Sequence, residues 1–252
     1  MSTEGAVVVS VNDLNVGYGK VSIVRDASLQ IKRGELAAIV GPNGSGKSTL
    51  LKGIIGVLRP SSGDVRIWPS ENGAERMITG RPPEDTVRLG MGYVPQLANV
   101  FPSLQVGENL ILGLQTRNKA ERIRRLDEVY TLFPDLRGKA KNAARTLSGG
   151  QRMMLALGRA LMSDPIAILV DEPCAGLSPR YRDAVWDQLG RMREAGVGLL
   201  VVEQNTRAAL EVADYGYVLV AGQIRQEGDA KSLLSDTELI ELYIGKVATA
   251  GK

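Results

Sequence analysis

The segment Gly41-Pro42-Asn43-Gly44-Ser45-Gly46-Lys47-Ser48 limits the fold of this chain more than any other feature, because it fits the pattern G-x-x-x-x-G-K-S/T. An apolar run at residues 36–40 precedes it, and apolar residues at helical spacing follow it. The glycines at 41, 44 and 46 allow successive backbone N–H groups to point inward, at the positive end of a helix dipole. The sequence therefore predicts a strand, an anion-binding loop and a helix in that order.

The side chains of this loop predict a nucleotide with Mg²⁺. Lys47 would reach the β- and γ-phosphates as a point charge, and Ser48 would offer its hydroxyl to the metal. The predicted nucleotide-binding residues here are Gly41, Pro42, Asn43, Gly44, Ser45, Gly46, Lys47, Ser48 and Thr49. A glycine-rich turn that binds nothing is the alternative, and the position of the loop between a predicted strand and a predicted helix favours the binding site.

A second candidate site lies where the apolar run 166–170 ends in Asp171 and Glu172. In a parallel sheet the ligand lies beyond the carboxyl ends of the strands, so Asp171 can lie beside the Mg²⁺ held by Ser48. Glu172 points in another direction and can polarise the attacking water. A solvated turn is the alternative for such an acidic pair, but its combination with the phosphate loop favours catalysis.

Strands and helices alternate along the rest of the chain. Strands are predicted over 7–11, 21–31, 36–40, 166–170 and 197–203, and helices over 48–58, 149–162 and 179–194. Between 102 and 146, one apolar face formed by Ile123, Leu126, Tyr130 and Phe133 predicts a helical insertion. The charged stretch 117–125 is interpreted as a solvated helical face. This order predicts an α/β fold whose mainly parallel sheet is interrupted by helices.

Composition excludes several other classes of protein. Cys174 is the single cysteine, which allows no intramolecular disulfide and fits a reducing compartment. The chain contains no histidine, and its net charge of +3 comes from interleaved basic and acidic residues, which does not favour binding of nucleic acid. Its apolar runs are far shorter than the ~20 residues of a membrane helix, and the N-terminus does not resemble a signal peptide. We therefore expect membrane contact only through partners.

A second segment of small residues, Leu147-Ser148-Gly149-Gly150-Gln151, precedes a predicted helix and forms another anion site. One chain cannot easily apply two such sites to one γ-phosphate from the same side. In a two-fold dimer, each segment would face the nucleotide of the other chain. Ser148, Gly149, Gly150 and Gln151 are therefore predicted to contact nucleotide across a dimer.

These motifs together resemble the ABC ATPase family over nearly the whole chain. In that resemblance, residues 41–48 are the Walker A loop, Asp171 is the Walker B aspartate, Glu172 is the catalytic carboxylate and residues 147–151 are the signature motif. The family implies a P-loop NTPase core of the RecA-like type, with an N-terminal antiparallel β region and an inserted α-helical subdomain.

The resemblance also assigns two residues outside these motifs. Gln96 looks like the Q-loop glutamine, which contacts Mg²⁺ and the attacking water. Tyr18 looks like the N-terminal aromatic residue that stacks on adenine, with a strand-end tyrosine at the rim of the core as the alternative. The implied catalytic residues are then Glu172, Gln96, Gln204 and Lys47, and the implied metal ligands are Ser48, Gln96 and Asp171.

Two positions depart from the family pattern. Gln204 stands where a histidine usually holds the γ-phosphate, and a glutamine can orient groups but cannot take a proton. Ser178 stands where the D-loop aspartate is usual. Three segments look like one branch of the family, the branched-chain amino-acid importers: Glu203-Gln204-Asn205, 154–162 and 95–104. That branch has two different ATPase subunits, and this chain is most similar to the second of them.

The resemblance implies one ABC ATPase domain over residues 1–252. Its core would cover about 5–97 and 147–240, and its helical subdomain about 98–146, continuing into the signature helix 149–162. The expected ligands are ATP and Mg²⁺. The expected partners are a second ATPase subunit in a homo- or heterodimer, two transmembrane permease subunits and, indirectly, an extracytoplasmic solute-binding protein, with no nucleic acid.

The expected function is ATP hydrolysis that drives import of branched-chain or related amino acids or amides, at the cytoplasmic face of the cell membrane. The alternative is a non-transport ABC ATPase, either an assembly scaffold or a nucleic-acid clamp. Clamps of that kind carry long coiled coils or two cassettes in one chain, and neither fits within 252 residues.

Overall fold

Two β-sheets and the helices around them make up residues 5–69, 73–97, 99–114 and 118–236, which this computed structural model describes. The remaining residues of the predicted domain, and with them Arg117 of the predicted charged face, lie outside these ranges. The strands are β1 (Val7–Tyr18), β2 (Val21–Lys32), β3 (Leu36–Val40), β4 (Ser62–Ile67), β5 (Arg76–Met77), β6 (Met91–Val94), β7 (Ala167–Asp171), β8 (Gly198–Val202), β9 (Tyr215–Val220) and β10 (Gln223–Asp229).

The helices lie between these strands in the order that an α/β fold requires. They are α1 (Lys47–Ile55), α2 (Pro83–Arg88), α3 (Val106–Leu112), α4 (Lys119–Leu132), α5 (Pro134–Arg137), α6 (Gly149–Leu161), α7 (Pro179–Glu194), α8 (Thr206–Val212) and α9 (Ala230–Ser235), with a 3₁₀ turn at Ala144–Thr146. Within the described ranges, no helix combines the length and the apolar character needed to cross a bilayer.

The larger sheet confirms the predicted, mainly parallel fold. Its strand order is β10-β9-β3-β8-β7-β6, and only the β9–β10 pair is antiparallel. The central strands β3, β7 and β8 are buried along their whole length, as expected for strands covered on both faces. Val202 pairs with Ile39 of β3 on one side and with Asp171 of β7 on the other. The carboxyl ends of the three strands therefore meet at one edge of the sheet.

The smaller sheet is the predicted N-terminal antiparallel region. Its order is β2-β1-β4-β5. Between the two sheets lies a continuous apolar core, to which α1 contributes Leu50, Leu51, Ile54 and Ile55. Helix α1 ends at Ile55 rather than at the predicted residue 58, because Gly56 adopts the left-handed conformation (φ +90°) that stops helices.

The predicted helical insertion is present as α3, α4 and α5 between β6 and α6. One part of its predicted apolar face is wrong, since Ile123 is 52% exposed while Val129 is buried. The solvated face predicted around α4 is also wrong at Arg125, which is only 9% exposed. Its guanidinium donates to the carbonyls of Leu161 and Met162 at the end of α6. Arg125 therefore satisfies the open carbonyls of the signature helix, and its apolar stem is buried with it.

Candidate active site

The predicted phosphate loop joins β3 to α1, and its glycines are required by its backbone. Gly41 has φ +148°, and a Cβ there would lie 2.0 Å from the carbonyl oxygen of Leu219. Gly46, with φ +104°, is the N-cap residue of α1. Within the described part of the chain, the hydroxyl of Ser45 is buried and has no hydrogen-bond partner. A concave loop with a free buried hydroxyl at a helix N-terminus fits the phosphate groups of a nucleotide.

Lys47 lies at the base of this loop and is 5% exposed. Its Nζ donates to the carbonyl oxygens of Gly41 at 2.8 Å and Pro42 at 3.0 Å. Burial lowers the pKa of Lys47, while the nearby carboxylates of Glu172 and Asp171 act in the opposite direction. The ammonium group is therefore held inside the loop, where an anionic ligand would bind.

A cleft of about 270 Å³ opens above the loop and shows which side chains a nucleotide could contact. Asn43 to Thr49 form its floor, and Glu172 and Gln204 line one part of it. Tyr18, the last residue of β1, lines the cleft with half of its surface exposed. Ile23 of β2 also lines it and was not predicted, since no motif marks an isoleucine on a neighbouring strand.

Asp171 ends β7 and lies beside the first turn of α1. The hydroxyl of Ser48 donates to Asp171 Oδ1 at 2.8 Å. Burial raises the pKa of Asp171, while this hydrogen bond lowers it. Mg²⁺ prefers oxygen ligands, together with phosphate oxygens and water. This chain would offer three such ligands: the hydroxyl of Ser48, the carboxylate of Asp171 and the amide oxygen of Gln96. The residues present therefore fit the metal.

Glu172 is the point where three chain segments converge. Its Oε2 accepts a hydrogen bond from Gln96 Nε2 at 2.7 Å and another from Gln204 Nε2 at 2.7 Å. Its backbone is left-handed (φ +47°), and its N–H donates to the carbonyl of Val202 at 2.9 Å. A non-glycine residue rarely adopts this conformation, and such strain is concentrated at functional sites. Two neutral amides thus fix one oxygen of the carboxylate, and no described residue donates to Oε1, which can act as an acceptor.

The signature segment lies at the start of α6 and caps it. Ser148 Oγ accepts from the backbone N–H of Gln151 at 3.3 Å, and Gln151 Oε1 accepts from the backbone N–H of Ser148 at 3.1 Å. A Cβ at Gly150 would lie 2.3 Å from the ring of Tyr181, so this turn packs closely against α7. Among the described residues that line the cleft, none belongs to segment 147–151. The four predicted signature residues are therefore not brought to the nucleotide cleft of their own chain.

Glu203 lies beside the candidate site, and the sequence alone gives it no role there. It follows β8 directly, is 5% exposed, and its carboxylate contacts the turn that carries Glu172. The only signal in the sequence was an acidic residue at the end of an apolar strand, next to Gln204.

Comparison with known proteins agrees with this geometry. The ABC transporter family pattern matches residues 24–175. The chain is 42% identical to LivF of Archaeoglobus fulgidus, described as a probable branched-chain amino acid transport ATP-binding protein, over 93% of this chain and 97% of that one. It is 36% identical to BraG of Pseudomonas aeruginosa, a high-affinity branched-chain amino acid transport ATP-binding protein, over 94% of this chain and 100% of BraG. It is 30% identical to LptB of Escherichia coli, a lipopolysaccharide export system ATP-binding protein, over 93% of this chain and 95% of LptB.

Solved structures show the same fold. An ATP-binding cassette of an ABC transporter in its ADP conformation matches with a TM-score of 0.83 and 27% identity, covering 96% of this chain and 100% of that one. A nucleotide-free cassette matches with a TM-score of 0.82 at the same identity and coverage. The phosphate loop, the paired carboxylates and these relatives lead to one conclusion: the chain belongs to the ABC transporter family, as an ATP-binding and ATP-hydrolysing subunit.

Proposed function

We propose that this subunit powers import of branched-chain amino acids, or of related amino acids or amides. The main support is the identity of 42% and 36% to LivF and BraG over nearly the whole chain, against 30% to the export protein LptB. The segment Glu203-Gln204-Asn205, which lies at the edge of the candidate site, also resembles that importer branch.

We propose that ATP binds between two ATPase subunits. The Walker loop of one subunit would hold the phosphates, and Ser148, Gly149, Gly150 and Gln151 of the other would face the γ-phosphate. The support is the position of the signature segment, which caps α6 and does not line its own cleft. The second subunit is either another copy of this chain or a different ATPase.

Within that site, the residues of this chain have separate roles. Glu172 orients and polarises the attacking water through its free carboxylate oxygen, and Gln96 and Gln204 hold the other oxygen. Ser48, Asp171 and the amide oxygen of Gln96 would hold Mg²⁺, which when bound neutralises charge on the phosphate oxygens. Gln204 replaces a proton-accepting side chain with a neutral amide, so its contribution is orientation only.

The transport partners would be two transmembrane permease subunits, with an extracytoplasmic solute-binding protein acting through them. The subunit would lie on the cytoplasmic face of the membrane. Closure of the ATP-bound dimer and its separation after hydrolysis would shift the permease between its two access states.

Lipopolysaccharide export is the second candidate, because LptB matches over almost the same length. The non-transport alternatives receive no support from LivF, BraG or LptB, each of which is named for transport. Co-purification of the chain with its membrane subunits, followed by ATPase assays with branched-chain amino acids and with lipopolysaccharide, separates the two candidates. Stimulation by lipopolysaccharide alone would reject the import proposal.

The position of Tyr18 leads to a prediction about ATP affinity. Tyr18→Ala should raise the KM for ATP by about two- to tenfold, because stacking of an aromatic ring contributes about 0.5–1.5 kcal/mol. Tyr18→Phe, which keeps the ring, is the matched control and should behave like the wild type. Steady-state kinetics over a range of ATP concentrations measures both variants. Equal KM values for the alanine variant and the wild type would remove Tyr18 from the adenine site.

A further inference from the structure

The carboxylate of Glu203 connects the loop after β8 to the turn after β7, which carries Glu172. Its Oε1 accepts a hydrogen bond from the backbone N–H of Cys174 at 2.9 Å, and its Oε2 accepts one from the backbone N–H of Gln204 at 3.2 Å. Cys174 lies two residues after Glu172 in the turn that follows β7, whereas Glu203 itself begins the loop that follows β8 and Gln204 is its next residue. One oxygen of Glu203 therefore ties its loop to the turn after β7, and the other fixes the backbone of its own loop at Gln204.

The backbone of Glu203 makes a third connection. Its N–H donates to the carbonyl of Ile39 at 3.2 Å, and Ile39 lies two residues before the first glycine of the phosphate loop. Residue 203, at the start of the loop that carries Gln204, thus contacts the strand that leads into the phosphate loop and the turn that carries Glu172.

Glu172, Cys174 and Glu203 are buried, but the two loops border an open space on one side. A cavity of about 230 Å³ lies beside the two loops and is lined by Glu172, Cys174, Glu203 and Gln204, with Arg182 and Trp186 also contributing to its walls. On the side of this cavity the described side chains do not fill the space, so the hydrogen bonds of Glu203 add to packing in fixing the relative position of the loops.

The buried surroundings of Glu203 disfavour the charged form of its carboxylate. Burial raises its pKa, and so does the nearby Glu172, whereas the bonds from Cys174 and Gln204 act in the opposite direction. In the described part of the chain, its carboxylate accepts hydrogen bonds from the backbone N–H groups of Cys174 and Gln204 rather than from a lysine or an arginine. Lys47 acts on this carboxylate electrostatically, without a direct hydrogen bond among the described residues. A buried carboxylate that forms no direct ion pair contributes little to stability, so its contacts point to a role in placing the loops.

We propose that Glu203 is a positioning residue for ATP hydrolysis, which sets the contact between Gln204 and Glu172 by holding both of their loops. The contact it sets is the 2.7 Å hydrogen bond from Gln204 Nε2 to Glu172 Oε2. This inference rests on the proposed active site, in which Glu172 aids the attacking water. Glu203 itself acts through other residues and does not line the nucleotide cleft formed by the described residues.

The test is Glu203→Gln in the purified full chain. The amide has the same shape but only one acceptor oxygen, so it can satisfy one of the two backbone N–H groups and must turn its own NH₂ toward the other. We expect kcat to fall by about ten- to hundredfold, because small displacements of catalytic groups have effects of that size. The KM for ATP should change by less than about twofold, because the phosphate loop still supplies the binding contacts. The melting temperature should shift by only a few degrees, because loss of one acceptor is offset by removal of a buried charge.

Two further variants complete the design. Glu211→Gln, on the exposed face of α8, is the matched control and should leave kcat unchanged. Combined with Gln204→Ala, Glu203→Gln should lower kcat by less than the product of the two separate effects, because both act on one contact. If Glu203→Gln does not fold, Glu203→Asp takes its place, since the shorter side chain keeps the charge but cannot reach both loops.

An unchanged kcat, a rise in KM alone, or fully multiplicative effects with Gln204→Ala would each overturn the proposal. Glu172→Gln, measured in parallel, separates this failure from a wider one. Retained turnover in Glu172→Gln would reject the proposed active site, whereas loss of turnover there with normal kcat in Glu203→Gln would reject only the role of Glu203.

Discussion

Replacing Glu172 with glutamine is expected to lower ATP hydrolysis by about a hundred- to ten-thousandfold, the range that removal of a general base produces. The amide introduced by Glu172→Gln would keep one acceptor oxygen for Gln96 or Gln204, so the local structure should persist. The phosphate loop is unchanged, and the affinity for ATP should therefore stay close to that of the wild type. Phosphate release under saturating ATP, together with equilibrium binding of ATP, measures the two effects separately.

The same variant tests the proposed dimer. Because separation of the subunits would follow hydrolysis, Glu172→Gln should accumulate as a dimer with ATP and remain monomeric with ADP. Sedimentation measures the two states. Ser148→Arg added to this variant should abolish the dimer without affecting ATP binding, since Ser148 does not line the cleft of its own chain. Undiminished turnover in Glu172→Gln would remove this residue from the active site, and an ATP-independent dimer would reject the proposed arrangement.

The centre of the site could be predicted because its chemistry is carried by consecutive residues. The loop at residues 41–48 and the pair Asp171–Glu172 are each marked by an apolar strand that precedes them. Elements with sharp local boundaries were also predicted closely. Strand β3 covers residues 36–40 as expected, and α7 covers 179–194 because Pro179 begins it and its apolar residues keep the helical period.

The parts that sequence reasoning missed depend on contacts between distant segments. The helical period placed Ile123 on the buried face of α4, but Ile123 is exposed to solvent. The period also could not show that Arg125 reaches the end of α6. Similarly, Glu203 differs from a solvated acidic residue only through its bonds to Cys174 and Gln204, and the first of these spans 29 residues of chain. Such contacts are set when β7 and β8 pair, and no local pattern records them.

Lys47→Ala is the second variant with a large expected effect. Lys47 places a buried ammonium group inside the loop, 2.8 Å from the carbonyl oxygen of Gly41. Hydrogen bonds to charged groups contribute about 1.5–3 kcal/mol, which corresponds to about one to two orders of magnitude in affinity. Without this cation the phosphate loop keeps its backbone N–H groups but loses its positive side chain, so hydrolysis should fall with binding. Lys119→Ala, at the exposed start of α4, is the matched control.

Calorimetric titration of ATP with Mg²⁺ into the wild type, Lys47→Ala and Lys119→Ala tests the central claim most directly, which is that residues 41–48 hold the phosphates of the nucleotide. We expect the Kd of Lys47→Ala to rise by about ten- to hundredfold, and Lys119→Ala to bind like the wild type. The melting temperature of free Lys47→Ala should shift by only a few degrees, because the two lost hydrogen bonds are offset by removal of a buried charge. Wild-type affinity and wild-type turnover in Lys47→Ala would contradict the account.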